Sequence, residues 1–346
     1  MRLQRATYLV VLLTALVYIL YICQSFLIPM ALAFLIWDVI RGLRDFFSRI
    51  KFVKDKFPIW LLNTISFGAI FLVLSILSNL IINGINQLTL DLPQYEANVT
   101  HINALILEKY NFDALEKIGN YTGNFEFTSL IQPIFNGLSA VLADGFMITL
   151  YCIFILLEES IFRKKIRLIF KNEKDFVRMN GMLNEIDTLF TEYLSLKTMV
   201  SLLTGFLSYI VLLVLGVHSP ILWAILIFLL NYIPSIGSLI ATTFPAIFAM
   251  LQFGDLSSGI WVLVSVGTIQ LVVGNFIEPK IMGNSLNISP LVVLVALIVW
   301  GAIWGIVGML LSVPITVMMI IIMAQFENTK SLAILLSATG ELKTPN

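Results

Sequence analysis

The chain has 346 residues, of which 59% are hydrophobic and only 12% charged, and its mean hydropathy is +0.95. Soluble domains carry about 25% charged residues, so the composition excludes an ordinary water-soluble fold and points to an integral membrane protein. Twenty-one basic residues balance twenty-one acidic ones, which leaves no net field to recruit nucleic acid, and the scattered Cys23, Cys152, His101 and His218 provide no disulfide framework and no metal site.

In chain order, residues 7–22 follow Arg2 and Arg5 and read as an uncleaved first span. A second apolar run at 26–40 contains Pro29 and ends at Asp38 and Arg41. The loop at 41–56 carries six Lys/Arg against Asp45 and Asp55. By the positive-inside rule that loop and the N-terminus are cytoplasmic. A third run at 58–85 is longer than a ~30 Å hydrocarbon core requires.

Residues 86–132 are the most polar stretch, with six acids and only Lys109 and Lys117 as bases, and are expected outside the cell. Within them Tyr95, Val99, Ile102 and Ile106 recur at helical spacing, which predicts a short amphipathic helix lying on the membrane or on a neighbour. A fourth span is expected at 134–157, with Asp144 as the acid inside it, returning to the cytoplasm at Arg163, Lys164, Lys165 and Arg167. Phe176, Met179, Leu183, Ile186, Phe190 and Tyr193 mark an amphipathic cytoplasmic helix that runs into a fifth span at 197–216.

Beyond that point the apolar runs become short and broken. Residues 219–230 and 239–251 flank Asn231, Pro234, Ser235, Gly237 and Ser238. Twelve apolar residues reach only about 18 Å, so the pair reads as a re-entrant hairpin, tolerated where its freed backbone lines a cavity or is buried in protein. Some 70 residues later a second interrupted hairpin follows Ser289-Pro290, with its break at Gly301, Gly305 and Gly308 and a proline at 314. One crossing helix, 258–277, separates the two, which reverses the starting side and fits an inverted-topology repeat. On that helix Gly267, Gln270, Gly274 and Glu278 share a face of about 80°; Asn275 is adjacent, and Lys280 is placed to pair with Glu278. The glycines read mainly as helix-packing positions. Trp300 and Trp304 read as interfacial anchors.

The fold class expected is therefore all-α, a polytopic membrane protein of about 8 transmembrane segments. It divides into N-terminal transmembrane helices at 1–157, a cytoplasmic amphipathic region at 158–197, a transport core at 198–326 and a tail at 327–346 with a cytoplasmic C-terminus.

The motif set Asn231-Tyr232-Ile233-Pro234-Ser235-Ile236-Gly237, Gln270 through Asn275, Glu278-Pro279-Lys280-Ile281-Met282-Gly283, Pro290-Leu291 and Trp304-Gly305-Ile306-Val307-Gly308 with Pro314 resembles the AI-2E family of bacterial transporters. The likeness covers roughly residues 195–325, in the family's order. It implies a homo-oligomeric permease, with a pentamer as the expected form, in the bacterial plasma membrane. The family is named for export of autoinducer-2, and some members are linked to sodium/proton exchange.

A small uncharged solute would be recognised by neutral groups such as Asn231, Ser235, Ser238, Gln270 and Asn275, with backbone groups freed at Pro234 and Gly237. A monovalent cation or proton would instead use Glu278, carbonyls freed near Pro234, Gly305 or Gly308, and Asp144. No nucleotide-binding loop of the GxxxxGK[ST] type occurs, so transport is expected to be secondary or passive, with no cofactor. A non-transport membrane scaffold or a membrane-embedded enzyme is the remote alternative, and no paired-aspartate or Ser/His enzyme site stands out.

Overall fold

A computed structural model describes residues 2–50, 57–111, 143–170, 172–282 and 287–340. The described residues are helical almost throughout: α1 (Arg2–Ile22), α2 (Gln24–Ser48), α3 (Ile59–Leu90), α4 (Leu92–Tyr110), α5 (Gly145–Ile169), α6 (Glu173–Val214), α7 (Pro220–Leu230), α8 (Ile236–Phe253), α9 (Leu256–Met282), α10 (Pro290–Ala324) and α11 (Glu327–Leu336). Six of them, α2, α3, α6, α8, α9 and α10, are long and apolar enough to cross a membrane. Residues 10–22 and α7 form shorter apolar helices.

The expected fourth span lies partly outside the described residues. Its described part, α5, continues past 157 through Glu158, Glu159 and the basic cluster to Ile169. Asp144 stands at the N-cap of α5, and the residues of the expected span before Ala143 lie outside the described ones. The amphipathic helix and the fifth span are one element, α6, of 42 residues, or about 63 Å.

The chain divides into two compact units. The first comprises Met1–Leu72, Ala143–Ser195 and Asn284–Asn346. In it α2 packs on α5 through Ala33, Ile40, Ile148 and Cys152. Arg44 bridges to Glu159 at 3.1 Å and Arg41 to Asp187 at 2.6 Å, while the buried Asp38 accepts from Thr191 and Arg41. Charges that would be costly alone are thus paired and hydrogen-bonded. A second core joins α1 and α2 to α10 around Ile303, Trp304 and Leu311. Trp304 is buried and its Nε1 donates to the Leu20 carbonyl at 3.0 Å, so it packs inside this unit and does not stand as the interfacial anchor expected. Past α11 the chain returns to the foot of α10: Ser289 N donates to Leu336 O, Ala338 N to Asn287 O, and Ile288 bridges Ser337.

The second unit comprises Val73–Leu142 and Leu196–Gly283. Its core gathers Ile81, Leu88, Tyr95, Ile102, Leu222, Trp223, Phe248, Val262 and Val266 from α3, α4, α7, α8 and α9. Small residues permit the close approach of these helices: a Cβ on Gly259 would come within 2.0 Å of the Met250 side chain, and one on Gly84 within 2.7 Å of Leu222. Helix α4 carries Tyr95, Val99, Ile102 and Ile106 on its inner face, as the spacing predicts, and that face packs on protein. Asn98 Nδ2 donates to the carbonyls of Leu251 and Gln252, at 2.7 and 3.2 Å, fastening α4 to the end of α8. His218 Nδ1 lies 3.0 Å from Asp91 Oδ2, and Gln252 accepts from His218 N and donates to Gly216 O. Burial beside Asp91 pushes the Tyr95 hydroxyl up, so it stays protonated.

Candidate functional site

The polar centre of the second unit forms where α7 stops. Pro234 has no N–H to continue the helix and disfavours helical geometry at Ile233. The last turn therefore tightens, with Tyr232 N donating to Leu229 O and Ile233 N to Leu230 O. Ser235 adopts φ +60°, and α8 starts at Ile236. Gly237 is obligatory here, since a Cβ on it would sit 1.8 Å from the Leu230 carbonyl oxygen. Ser238 Oγ donates to Ser235 O and Thr242 Oγ1 to Ser238 O, so these hydroxyls serve the start of α8. By length α7, with 11 residues, reaches about 16 Å, half of a ~30 Å hydrocarbon core, whereas α8, with 18, reaches about 27 Å.

Three polar contacts gather at this break. Asn231, 8% exposed, donates from Nδ2 to Ser201 Oγ at 3.0 Å. Tyr232 OH and Thr198 Oγ1 share a hydrogen bond of 2.6 Å. Lys197 Nζ pairs with Glu278 Oε1, with side chains 6% and 23% exposed. The partner of Glu278 is thus Lys197 of α6, and not Lys280, which is exposed. The expectation of a local pair on α9 fails because the two residues stand only two positions apart, and residues at that spacing do not face each other on a helix.

Helix α6 brings its share of this centre on one face. Lys197, Ser201, Thr204 and Ser208, at spacings of four, three and four, are at most 5% exposed, and Gly205 among them lies 3.0 Å, measured from a built Cβ, from the Ala224 carbonyl of α7. Sequence reasoning overlooked this stripe, although the criterion that selected Gln270 and Glu278, polar residues at helical spacing in an apolar run, would have found it.

On α9 the expected stripe is divided. Gln270 is buried with Val262 and Val266, and its Nε2 has no hydrogen-bond partner among the described residues. A π-helical turn at Val273–Ile277 then inserts extra width and re-aims the residues of that turn. Gly274 and Asn275 are consequently exposed. Asn275 Nδ2 donates to Leu271 O at 3.1 Å, and nothing lies within 4 Å of a Cβ built on Gly274. Asn275 therefore stands apart from the polar centre, and Gly274 is no packing contact within this chain. Gly267 meets only Thr242, at an ordinary 3.5 Å.

Of the expected residues, the second unit thus brings together Asn231, Pro234, Gly237 and Glu278. Gly305, Gly308 and Asp144 belong to the first unit. There α10 leaves helical geometry at Gly305, at the second expected break, and part of the spacing of the first break recurs. Leu230 and Trp300 each stand ten residues beyond the proline that opens the helix, and Ser235 and Gly305 each fifteen beyond it, with φ +60° and +61°. A Cβ on Gly308 would sit 2.0 Å from the Trp300 carbonyl oxygen, much as one on Gly237 would crowd that of Leu230. Among the described residues no three His, Cys, Asp or Glu side chains cluster as metal ligands.

The model of the AI-2E family transporter matches residues 9–328. The chain is 33% identical over 315 residues to the AI-2 transport protein TqsA of Escherichia coli, covering 90% of this chain and 89% of that one. It is 34% identical over 298 residues to a putative transport protein of Haemophilus influenzae, covering 84% and 85%, and 33% identical over 261 residues to one of Borreliella burgdorferi, covering 74% and 70%. Broken helices, membrane-length apolar elements and this likeness over nearly the whole chain agree: the protein is a multi-pass membrane protein belonging to the AI-2E transporter family.

Proposed function

We propose that the chain is a secondary transporter of the bacterial plasma membrane that exports a small, uncharged, hydroxyl-rich solute of the autoinducer-2 type. The observation that carries this reading is the polar centre at the α7–α8 break, where Asn231–Ser201, Tyr232–Thr198 and Lys197–Glu278 stand beside the interrupted helix. Broken helices supply both donors and acceptors to a solute at membrane depth. The shared spacing of the two breaks from their opening prolines supports an inverted repeat. A homo-oligomer, pentameric as the family likeness implies, and cytoplasmic termini complete the proposal, which assigns transport and no catalysis.

Flux of autoinducer-2 into and out of proteoliposomes, with imposed sodium and proton gradients, tests it. Wild-type protein is expected to carry the solute, and Asn231→Ala and Glu278→Gln to lose about tenfold, the cost of one buried hydrogen bond or more. Flux unchanged in both variants removes the centre from the pathway. A second reading, sodium- or potassium-driven proton exchange, is favoured by the half-buried carboxylate of Glu278. It predicts a cation-driven pH change in the same vesicles without solute.

A further inference from the structure

Lys197 is a cation enclosed in protein, with its ammonium on Glu278 and its side chain only 6% exposed. Neutral groups stand on the same stretch of α6: Thr198, next to Lys197 in the chain, bonds Tyr232, and one turn further along Ser201 bonds Asn231. The charge nearest in sequence on α9, Lys280, is exposed and has the same sign as Lys197.

An ammonium and a sodium or potassium ion each bring one positive charge to the same carboxylate oxygens, so they compete for Glu278. A carboxylate left alone in such surroundings is strongly unfavourable and takes up a compensating charge. We infer that Lys197 is a resident cation. It occupies Glu278, keeps the centre electroneutral, and thereby sets the specificity of the site toward uncharged polar solutes and against sodium and potassium. This rests on the reading of the α7–α8 break as the solute site. Without the ammonium the same oxygens, with neighbouring hydroxyls and carbonyls, make a monovalent cation site.

Full-length protein in lipid nanodiscs tests this by its melting midpoint in sodium, potassium or choline chloride at equal ionic strength. Lys197→Met is expected to gain a saturable rise of about 3 °C or more in sodium or potassium over choline, as ligand linkage requires. Wild type and Lys197→Met/Glu278→Gln are expected to show none. Recovery of Lys197→Met only when sodium or potassium is present is the same result in stronger form. A cation-dependent rise in wild type that Glu278→Gln removes overturns the inference. So does a Lys197→Met protein that no salt stabilises or rescues while the double variant folds. Solute flux through Ser201→Ala is read separately: its persistence sinks the site reading and leaves the cation result standing.

Discussion

Gly237 and Gly308 hold the tightest backbone approaches at the two breaks, the first facing the carbonyl of Leu230, which ends α7, and the second that of Trp300 within α10. A methyl group at either must push that carbonyl away. Gly237→Ala and Gly308→Ala are each expected to destabilise the protein by about 1–3 kcal/mol, the usual cost of overpacking, read as a lowered melting midpoint in detergent. Gly274→Ala, with open space around its Cβ, is expected to leave the midpoint unchanged or slightly raised. At Asn231 and Ser201 the test is a double-mutant cycle to alanine. A direct hydrogen bond between buried partners predicts a coupling of about 0.5–1.5 kcal/mol, and additive single effects would refute the contact. Glycines and prolines at the breaks were legible as residue types, because only they punctuate an apolar run so sharply. The partner of Glu278 was not, because Lys197 stands 81 positions away.

Among the elements, α4 and the long α6 show how periodicity is converted into packing. The spacing of Tyr95, Val99, Ile102 and Ile106 required a covered face, and the ends of α7 and α8 with α3 provide the cover. What fastens α4 is polar: Asn98 on two carbonyls of α8 and Asp91 on His218. Asn98→Ala leaves both carbonyls without that donor and is expected to speed hydrogen exchange in α4 by about fivefold or more, an effect on the order of 1 kcal/mol. The same variant is expected to leave exchange in α10 unchanged, since that helix belongs to the other compact unit. On α9 the sequence-based face failed after Val272 because an ideal 100° step cannot foresee a π-turn. The extra residue at Val273–Ile277 turns Gly274 and Asn275 outward.

At the scale of the whole molecule, the proposed topology places the basic loop at 41–56 inside the cell and α4 outside. A cysteine introduced at Asn111 is expected to react with an impermeant thiol reagent on intact cells, and one introduced at Ser48 only after permeabilisation; the reverse pattern would invert the assignment. Chemical cross-linking in native membranes is expected to give a ladder ending at five copies, and a ladder ending elsewhere would correct the number. The membrane class followed from composition alone, because water-soluble folds cannot accommodate so few charges at this hydropathy, and the all-α fold from the length of the apolar runs. The existence of two breaks, one between α7 and α8 and one at Gly305 within α10, followed from prolines and glycines, whose effect on a helix is local and needs no partner. The assembly of the polar centre did not. Which buried polar groups meet depends on the approach of α6, α7 and α9 in space, on the tight passage of Gly205 against Ala224, and on one widened turn in α9. Each is a consequence of packing between distant segments, so the tertiary structure alone decided that Lys197 meets Glu278, and Ser201 meets Asn231, at the break.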